Sequence, residues 1–243
     1  MLNARNDVPR LRSVYKRTGR LVVDNVLDTD MANSVLAAAE SFRDWRLVTR
    51  LEGQHRAFDA AALEAVPQDK RDALNALIAE EARAGFQYCF ERFPLYDQMK
   101  AGNTPSGALG QLAGLLGSDA FTGLLRKITD APEDSFIDGQ LTRYRAGHFL
   151  TLHDDEEPDL KRICAYVLNF TPEWNADFGG ILQFPDKDGH IAAGFTPKFN
   201  SMTVFRVPVA HMVSAVPPFV TRSRYALTGW LRHGPEPRLP VHE

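Results

Sequence analysis

Cysteine is scarce in this chain, with Cys89 and Cys164 the only two among 243 residues, each inside an apolar segment. That excludes a disulfide scaffold, and the pair has no metal-ligand spacing; two buried thiols in a reducing compartment are expected. Long hydrophobic runs are missing too. None approaches the ~18 apolar residues of a membrane span. The polar opening from Met1 to Val14, with Arg5, Arg10 and Arg12, leads into no signal-peptide core. A cytoplasmic protein without membrane contact is the expectation. An excess of one charge is also lacking: 28 Lys and Arg against 31 Asp and Glu leave −3, which gives no field for nucleic acid or anionic lipid. Internal repeats and low-complexity tracts are absent, which sets aside solenoid arrays.

What is present is an ordinary globular composition, 44% apolar and 24% charged, enough for a real core. A chain this long forms one large domain or two small ones. Residues 1–18 read as a loosely held arm, and residues 20–27 as a short strand. Asp28 or Asp30 caps a helix from Met31 to Phe42, with Val35, Leu36 and Ala39 at helical spacing. Trp45 to Leu51 alternates as a strand. Pro67 and Pro94 bracket an expected long helix, Gln68 to Phe93, whose stripe is Leu74, Leu77, Ile78, Ala82 and Phe86. Residues 94–107 read as a long loop, either a lid or a plain connector. Ser118 caps a helix to about Lys127 that buries Phe121, Leu124, Leu125 and Ile128. From Ser135 the character changes to strand-like runs at 136–146, 161–170, 180–184, 202–207, 211–216 and 224–231, separated by turn chemistry such as Pro185-Asp-Lys-Asp-Gly189 and Pro217-Pro218. The pattern predicts an α+β protein with a mainly β core. A helix-rich half (28–130) packs against an all-β half (135–232), within one domain from 19 to 243. A barrel-like double sheet of this kind encloses a pocket.

Within the β half lies His153-Asp154-Asp155, followed 58 residues later by His211 and 13 after that by Arg224. Along a strand, residues i and i+2 share a face, so His153 and Asp155 would reach one metal ion while Asp154 points away. A second imidazole from a distant strand would complete three ligands. Two His and one carboxylate with open positions are the ligand set suited to non-haem Fe(II) oxygenases; a zinc hydrolase site with the same ligands is the other reading.

The surrounding residues carry a resemblance. Thr142-Arg-Tyr-Arg-Ala-Gly-His-Phe-Leu-Thr-Leu-His-Asp-Asp155, then Arg162-Ile-Cys-Ala-Tyr-Val-Leu-Asn169, Trp174, Gly179-Gly-Ile-Leu-Gln-Phe-Pro185, His211-Met-Val-Ser-Ala-Val216 and Arg224-Tyr-Ala-Leu-Thr-Gly-Trp230 stand in order over about 90 residues. Together they resemble the core of the 2-oxoglutarate- and Fe(II)-dependent prolyl hydroxylases, and the subgroup most similar is the intracellular and bacterial branch. The resemblance implies a double-stranded β-helix (jelly roll) with helices packed on one side, mostly from the N-terminal half. It implies Fe(II) on His153, Asp155 and His211, with 2-oxoglutarate and O2 as cosubstrates and ascorbate as a reductant. Decarboxylation to succinate and CO2 would be coupled to hydroxylation.

Through the same resemblance Arg224 is assigned to the far carboxylate of 2-oxoglutarate, because a planar guanidinium binds a carboxylate by two parallel bonds. Arg222, on the same strand face, is the runner-up; the family's spacing to Trp230 selects Arg224. Tyr144 and Thr228 are expected to lend hydroxyls to the cosubstrate pocket. Trp230 either lines the pocket floor or fills core. Two positions depart from the family pattern: Val167 and Leu150 stand where many relatives carry an aromatic residue. His148 would point away from the ligand pair, and His55, His190, His233 and His242 have no comparable context. The expected partner is a protein or peptide, hydroxylated on a prolyl residue. A free amino acid or other small molecule, and a non-catalytic jelly-roll metal-binding module, are the alternatives. Oligomeric state is not legible.

Overall fold

Strand after strand in the C-terminal half is apolar on both faces, and a sheet made of such strands has to be covered twice. The computed structural model describes residues 1–234 and 236; the last stretch of the expected domain, with His242, lies outside the described residues. In chain order the elements are α1 (Val8–Thr18), β1 (Arg20–Val23), α2 (Thr29–Ser41), β2 (Arg46–Leu51), β3 (Gln54–Asp59), α3 (Ala60–Glu64), α4 (Gln68–Ala84), β4 (Tyr88–Phe93), α5 (Leu95–Lys100), α6 (Gly107–Leu116) and α7 (Asp119–Thr129). Then come β5 (Phe136–Ile137), β6 (Gln140–Tyr144), β7 (Phe149–His153), β8 (Arg162–Asn169), β9 (Leu182–Pro185), β10 (Ile191–Phe195), β11 (Ser201–Arg206), β12 (His211–Val213) and β13 (Arg224–Arg232).

The strands run antiparallel in the order β1-β11-β8-β13-β6-β4-β7-β12-β9-β10, with β2 on β4 and β3 on β2. β4 joins the two halves of the sheet: Glu91 pairs with Arg143 of β6, while Tyr88 pairs with Leu150 of β7. Alternation along β8 shows how the sheet is covered. Ala165 and Val167 point into an inner core shared with Leu182, Phe184 and Val213 from the opposite half. Cys164, Tyr166 and Leu168 point outward against Leu11, Val35, Leu112, Phe121 and Leu125 of the helices. A sheet curled onto itself with helices over one side is the expected double-stranded β-helix.

Helix ends follow the sequence closely where caps are present. Asp28 accepts from the Met31 amide at 2.8 Å and Ser118 from the Phe121 amide at 3.3 Å, so α2 and α7 begin where the capping residues predict. Other expectations are corrected. Residues 8–18 are no loose arm: Leu11 and Tyr15, one turn apart, are buried as α1 packs beside α7 and β1. The helix expected to reach Phe93 stops at Ala84. Gly85 breaks it, and from Phe86 the pattern changes to period two, which suits a strand. The 94–107 loop contains α5, and α6 follows; three glycines at 107, 110 and 114 lower its helix propensity, while Leu109, Leu112 and Leu116 still bury one face. β3 is mostly polar, and β10, though built of Ile191, two alanines, Gly194 and Phe195, is too short and too exposed to show alternation.

Both thiols are free and buried, and burial pushes each up to about 12. Among the described residues no helix is long and apolar enough to cross a membrane.

Candidate active site

β7 and β12 are antiparallel neighbours in which His153 and His211 are register partners. Their rings face each other at 4.1 Å between centroids. Each Nδ1 lies against the backbone carbonyl two residues earlier, Thr151 at 2.9 Å and Val209 at 2.8 Å. A carbonyl only accepts, so each Nδ1 carries the proton and each Nε2 keeps a free lone pair. Both Nε2 atoms aim at one carboxylate: His153 is 3.4 Å from Asp155 Oδ1 and His211 is 3.5 Å from Oδ2.

Asp155 arrives by a different route from the one strand alternation suggested. β7 ends at His153, and Asp155 has φ 63°, in the left-handed region. A short polar side chain tolerates that conformation better than a bulky one. Arg162 Nη1 donates to its carbonyl at 3.0 Å, and Trp230 Nε1 donates to Oδ2 at 2.9 Å. Burial would raise the Asp155 carboxyl, but the His153 hydrogen bond, the neighbouring imidazoles and Trp230 hold it below its ordinary value. Burial, with His153 beside it, depresses His211 to about 4. Two neutral nitrogens and one carboxylate, with donor atoms within 4.8 Å of one another, form a set that fits a divalent ion with open positions.

Arg224 is 4% exposed. Its Nη1 donates to Gly180 O at 2.8 Å and its Nη2 to Asn169 Oδ1 at 3.4 Å; Nε is buried without a partner. Among the described residues no carboxylate is paired with it, and burial lowers its pKa. Such a group is costly unless a ligand supplies the missing anion. Gly179 and Gly180 let the segment approach this closely. Both have positive φ, and a Cβ on Gly179 would stand 2.0 Å from Ala215 O. Tyr144 is buried beneath Arg224, whose guanidinium carbon is 5.2 Å from its ring centroid, and it stacks on Phe90 at 5.2 Å. Burial raises its phenol, so it stays a donor. Thr228 lines the same cavity, as do Val167 and Leu150 at the two departing positions.

The cavity measures about 620 Å³ and reaches from His153, Asp155 and His211 to Tyr144, Arg224, Thr228 and Trp230. One wall was not foreseen. Phe86 just before β4, then Tyr88, Phe90 and Arg92 at alternate positions along it, all face it; their period-two spacing is the signal that a helical reading of this stretch hides. Runners-up fall elsewhere. Arg222 is half exposed and donates to Glu173 O at 3.2 Å. His148 is buried outside the cavity, its Nδ1 accepting from the Arg145 amide at 3.2 Å.

Residues 139–232 match the 2OG-Fe(II) oxygenase superfamily. Over 122 residues the chain is 34% identical to prolyl 3-hydroxylase OGFOD1 of Mus musculus, covering 47% of this chain and 22% of that protein; the chain thus spans about a fifth of the length of that relative. Among solved structures, a Pseudomonas putida prolyl-4-hydroxylase superposes with a TM-score of 0.59 at 20% identity, covering 93% of this chain and all of that one. A Burkholderia pseudomallei oxidoreductase of the 2OG-Fe(II) oxygenase family gives 0.60 at 14%, over 98% and 96%. A Trichoplax adhaerens prolyl hydroxylase, solved with a fragment of a hypoxia-inducible factor degradation domain, gives 0.59 at 14%, over 93% and 88%. At these identities the structural likeness is one of fold.

Proposed function

We propose, from the premise that residues 139–232 are a 2OG-Fe(II) oxygenase core, that this protein hydroxylates a prolyl residue of a protein or peptide at the expense of 2-oxoglutarate and O2. The observation that carries the reading is Arg224, a buried guanidinium with no acid partner among the described residues, in the same cavity as a His-Asp-His donor set. His153, Asp155 and His211 would hold Fe(II). Arg224 would take the distal carboxylate of 2-oxoglutarate, with the Tyr144 phenol and the Thr228 hydroxyl beside it. Bound there, the metal and cosubstrate supply oxidative decarboxylation coupled to oxygen insertion into a C–H bond. The chain's own residues orient and exclude. Thr151 and Val209 carbonyls fix the imidazole tautomers, Trp230 and Arg162 fix Asp155, and the aromatic wall of β4 keeps bulk water from the reacting face. The prolyl preference is drawn from the likeness to prolyl 3-hydroxylase OGFOD1. The two free thiols fit a cytoplasmic setting.

The test is succinate formation from 2-oxoglutarate with Fe(II) under air, with a pool of proline-containing peptides scored by mass for one added oxygen. His153→Ala is expected to abolish turnover. Arg224→Lys keeps the charge but loses the planar fork, and should raise the cosubstrate requirement on the order of 10-fold or more. Wild-type protein that binds iron yet releases no succinate would overturn the reading.

A further inference from the structure

Among the described residues three guanidinium groups line the cavity, and they are neutralised differently. Arg162 stands 3.9 Å from Asp155 and 3.5 Å from Glu157. Arg224 is the group assigned above to 2-oxoglutarate. Arg92 is the third. Half-buried in the wall made by β4, it donates from Nη1 to the Gln140 amide oxygen at 3.2 Å, and among the described residues no carboxylate lies within ion-pair distance of it. The one acid of β4, Glu91, faces the opposite side of the sheet and is taken there by Arg143 and Arg145. Alternation thus puts both charges of the Glu91-Arg92 dipeptide on different faces and leaves only the cation inside.

The neighbours of Arg92 are those of a recognition site. His55 from β3 and Tyr88 from β4 both line the cavity, and they share a 2.6 Å hydrogen bond between Nδ1 and the phenol. Burial, and then the charge of Arg92, hold the His55 imidazole below its ordinary value, so a cation stands beside two neutral hydrogen-bonding groups. Register gives the spacing. Arg92 is opposite Thr142, whereas Arg224 is opposite Tyr144, so Arg92 belongs to the next inward-facing row along β6. A cosubstrate carboxylate on Arg224 leaves Arg92 for a second anion from another molecule.

We infer that Arg92, with Gln140, His55 and Tyr88 around it, recognises a carboxylate of the substrate, an acidic residue beside the target prolyl residue. This rests on the function proposed above and adds the chemical class of the substrate to it. A planar guanidinium with N–H groups beyond the one given to Gln140 suits a carboxylate better than a neutral amide, by on the order of 10-fold in affinity for a charge-assisted bond.

The full-length protein, loaded anaerobically with Mn(II) and 2-oxoglutarate, would be titrated with labelled proline-containing peptide pools flanked by Asp or Glu, by Asn or Gln, or by Lys. Free proline and prolinamide are added as competitors. The wild type is expected to bind the acid-flanked pool about 10-fold more tightly than the amide-flanked one. Arg92→Gln should reduce that advantage to less than about 2-fold, and Arg92→Glu should invert it towards the Lys-flanked pool; a misfolded variant gives no inverted preference. Competition by proline but not prolinamide would make the carboxylate the substrate's own and still place it on Arg92, provided Arg92→Gln removes the difference. Equal binding of acid and amide probes by the loaded wild type overturns the inference, as does an acid preference unchanged in Arg92→Gln. Loading is read first. A wild-type protein that takes up neither Mn(II) nor 2-oxoglutarate sinks the proposed function itself, and this inference with it; a loaded protein without acid preference sinks only the inference.

Discussion

Trp230 stands where core filler would, yet its indole N–H is spent on Asp155 Oδ2, and Arg162 lies over its ring at 3.9 Å. Replacing it with Phe keeps most of the volume and removes that one donor. Metal affinity should fall about 10- to 100-fold, the usual effect of losing a hydrogen bond to a metal-binding carboxylate, with a much smaller change in thermal stability; a Mn(II) titration beside a melting curve checks both. At this scale the sequence was most legible. His153, Asp155, His211, Arg224, Tyr144 and Thr228 all line one cavity, because a motif of fixed spacing binds chemistry to position. The tautomer-fixing carbonyls of Thr151 and Val209 were not legible, since every residue carries a carbonyl. Arg92 is hidden for a different reason: the sequence between Pro67 and Pro94 suggests one helix, on which residues 88, 90 and 92 do not share a face.

Elements are where the reading of the sequence and the structure part most. α4 and β4 meet at Gly85, and the apolar residues before it fit a helix while those after it fit a strand; the periodicity of 68–93 is a sum of two patterns. Gln87, just past that junction, is wholly buried. Its Oε1 accepts from the Arg50 and Tyr88 amides at 2.9 and 2.8 Å, its Nε2 donates to Arg50 O at 2.8 Å, and its backbone exchanges bonds with Thr151. One residue thus ties three strands together: its side chain holds β2 to β4, and its backbone meets β7 at Thr151, two residues before the ligand His153. Gln87→Leu strands the Arg50 amide and carbonyl away from water, so a loss of about 2–4 kcal/mol in chemical denaturation is expected, roughly 1–3 per stranded group with partial relaxation. Loss of less than about 0.5 kcal/mol would show that water replaces the amide.

For the molecule as a whole, the interior charges set how stability responds to solution conditions. Burial depresses His148 to about 4 from an ordinary 6.5, with Arg145 adding to the effect and Glu91 opposing it. Between those values the unfolded chain takes up a proton that the folded chain refuses, so stability is lost as pH falls from about 6.5 to about 4. The wild type should lose up to about 3 kcal/mol more than His148→Asn across that window, measured as the difference between two urea-denaturation series. Arg224 links stability to ligand instead. 2-Oxoglutarate at about 100 times its dissociation constant, with Mn(II) present, should stabilise the fold by roughly 2.7 kcal/mol and raise the melting temperature by several degrees; Arg224→Ala should melt at the same temperature with and without it. That the chain forms one curled sheet under helices was legible from periodicity and turn chemistry, but the joining role of β4 was not, because a pairing across the two halves of a sheet leaves no local mark.

Among the described residues β3 pairs only with β2, and Gln54, His55, Arg56 and Ala57 along it are exposed. Its other edge therefore presents a row of unspent amide and carbonyl groups, the kind of edge along which a second molecule can extend a sheet. Arg56 is exposed on that edge. Two copies approaching there antiparallel would bring their Arg56 guanidinium groups together, so the same short hairpin that lends His55 to the cavity also works against edge-to-edge pairing of the protein with itself.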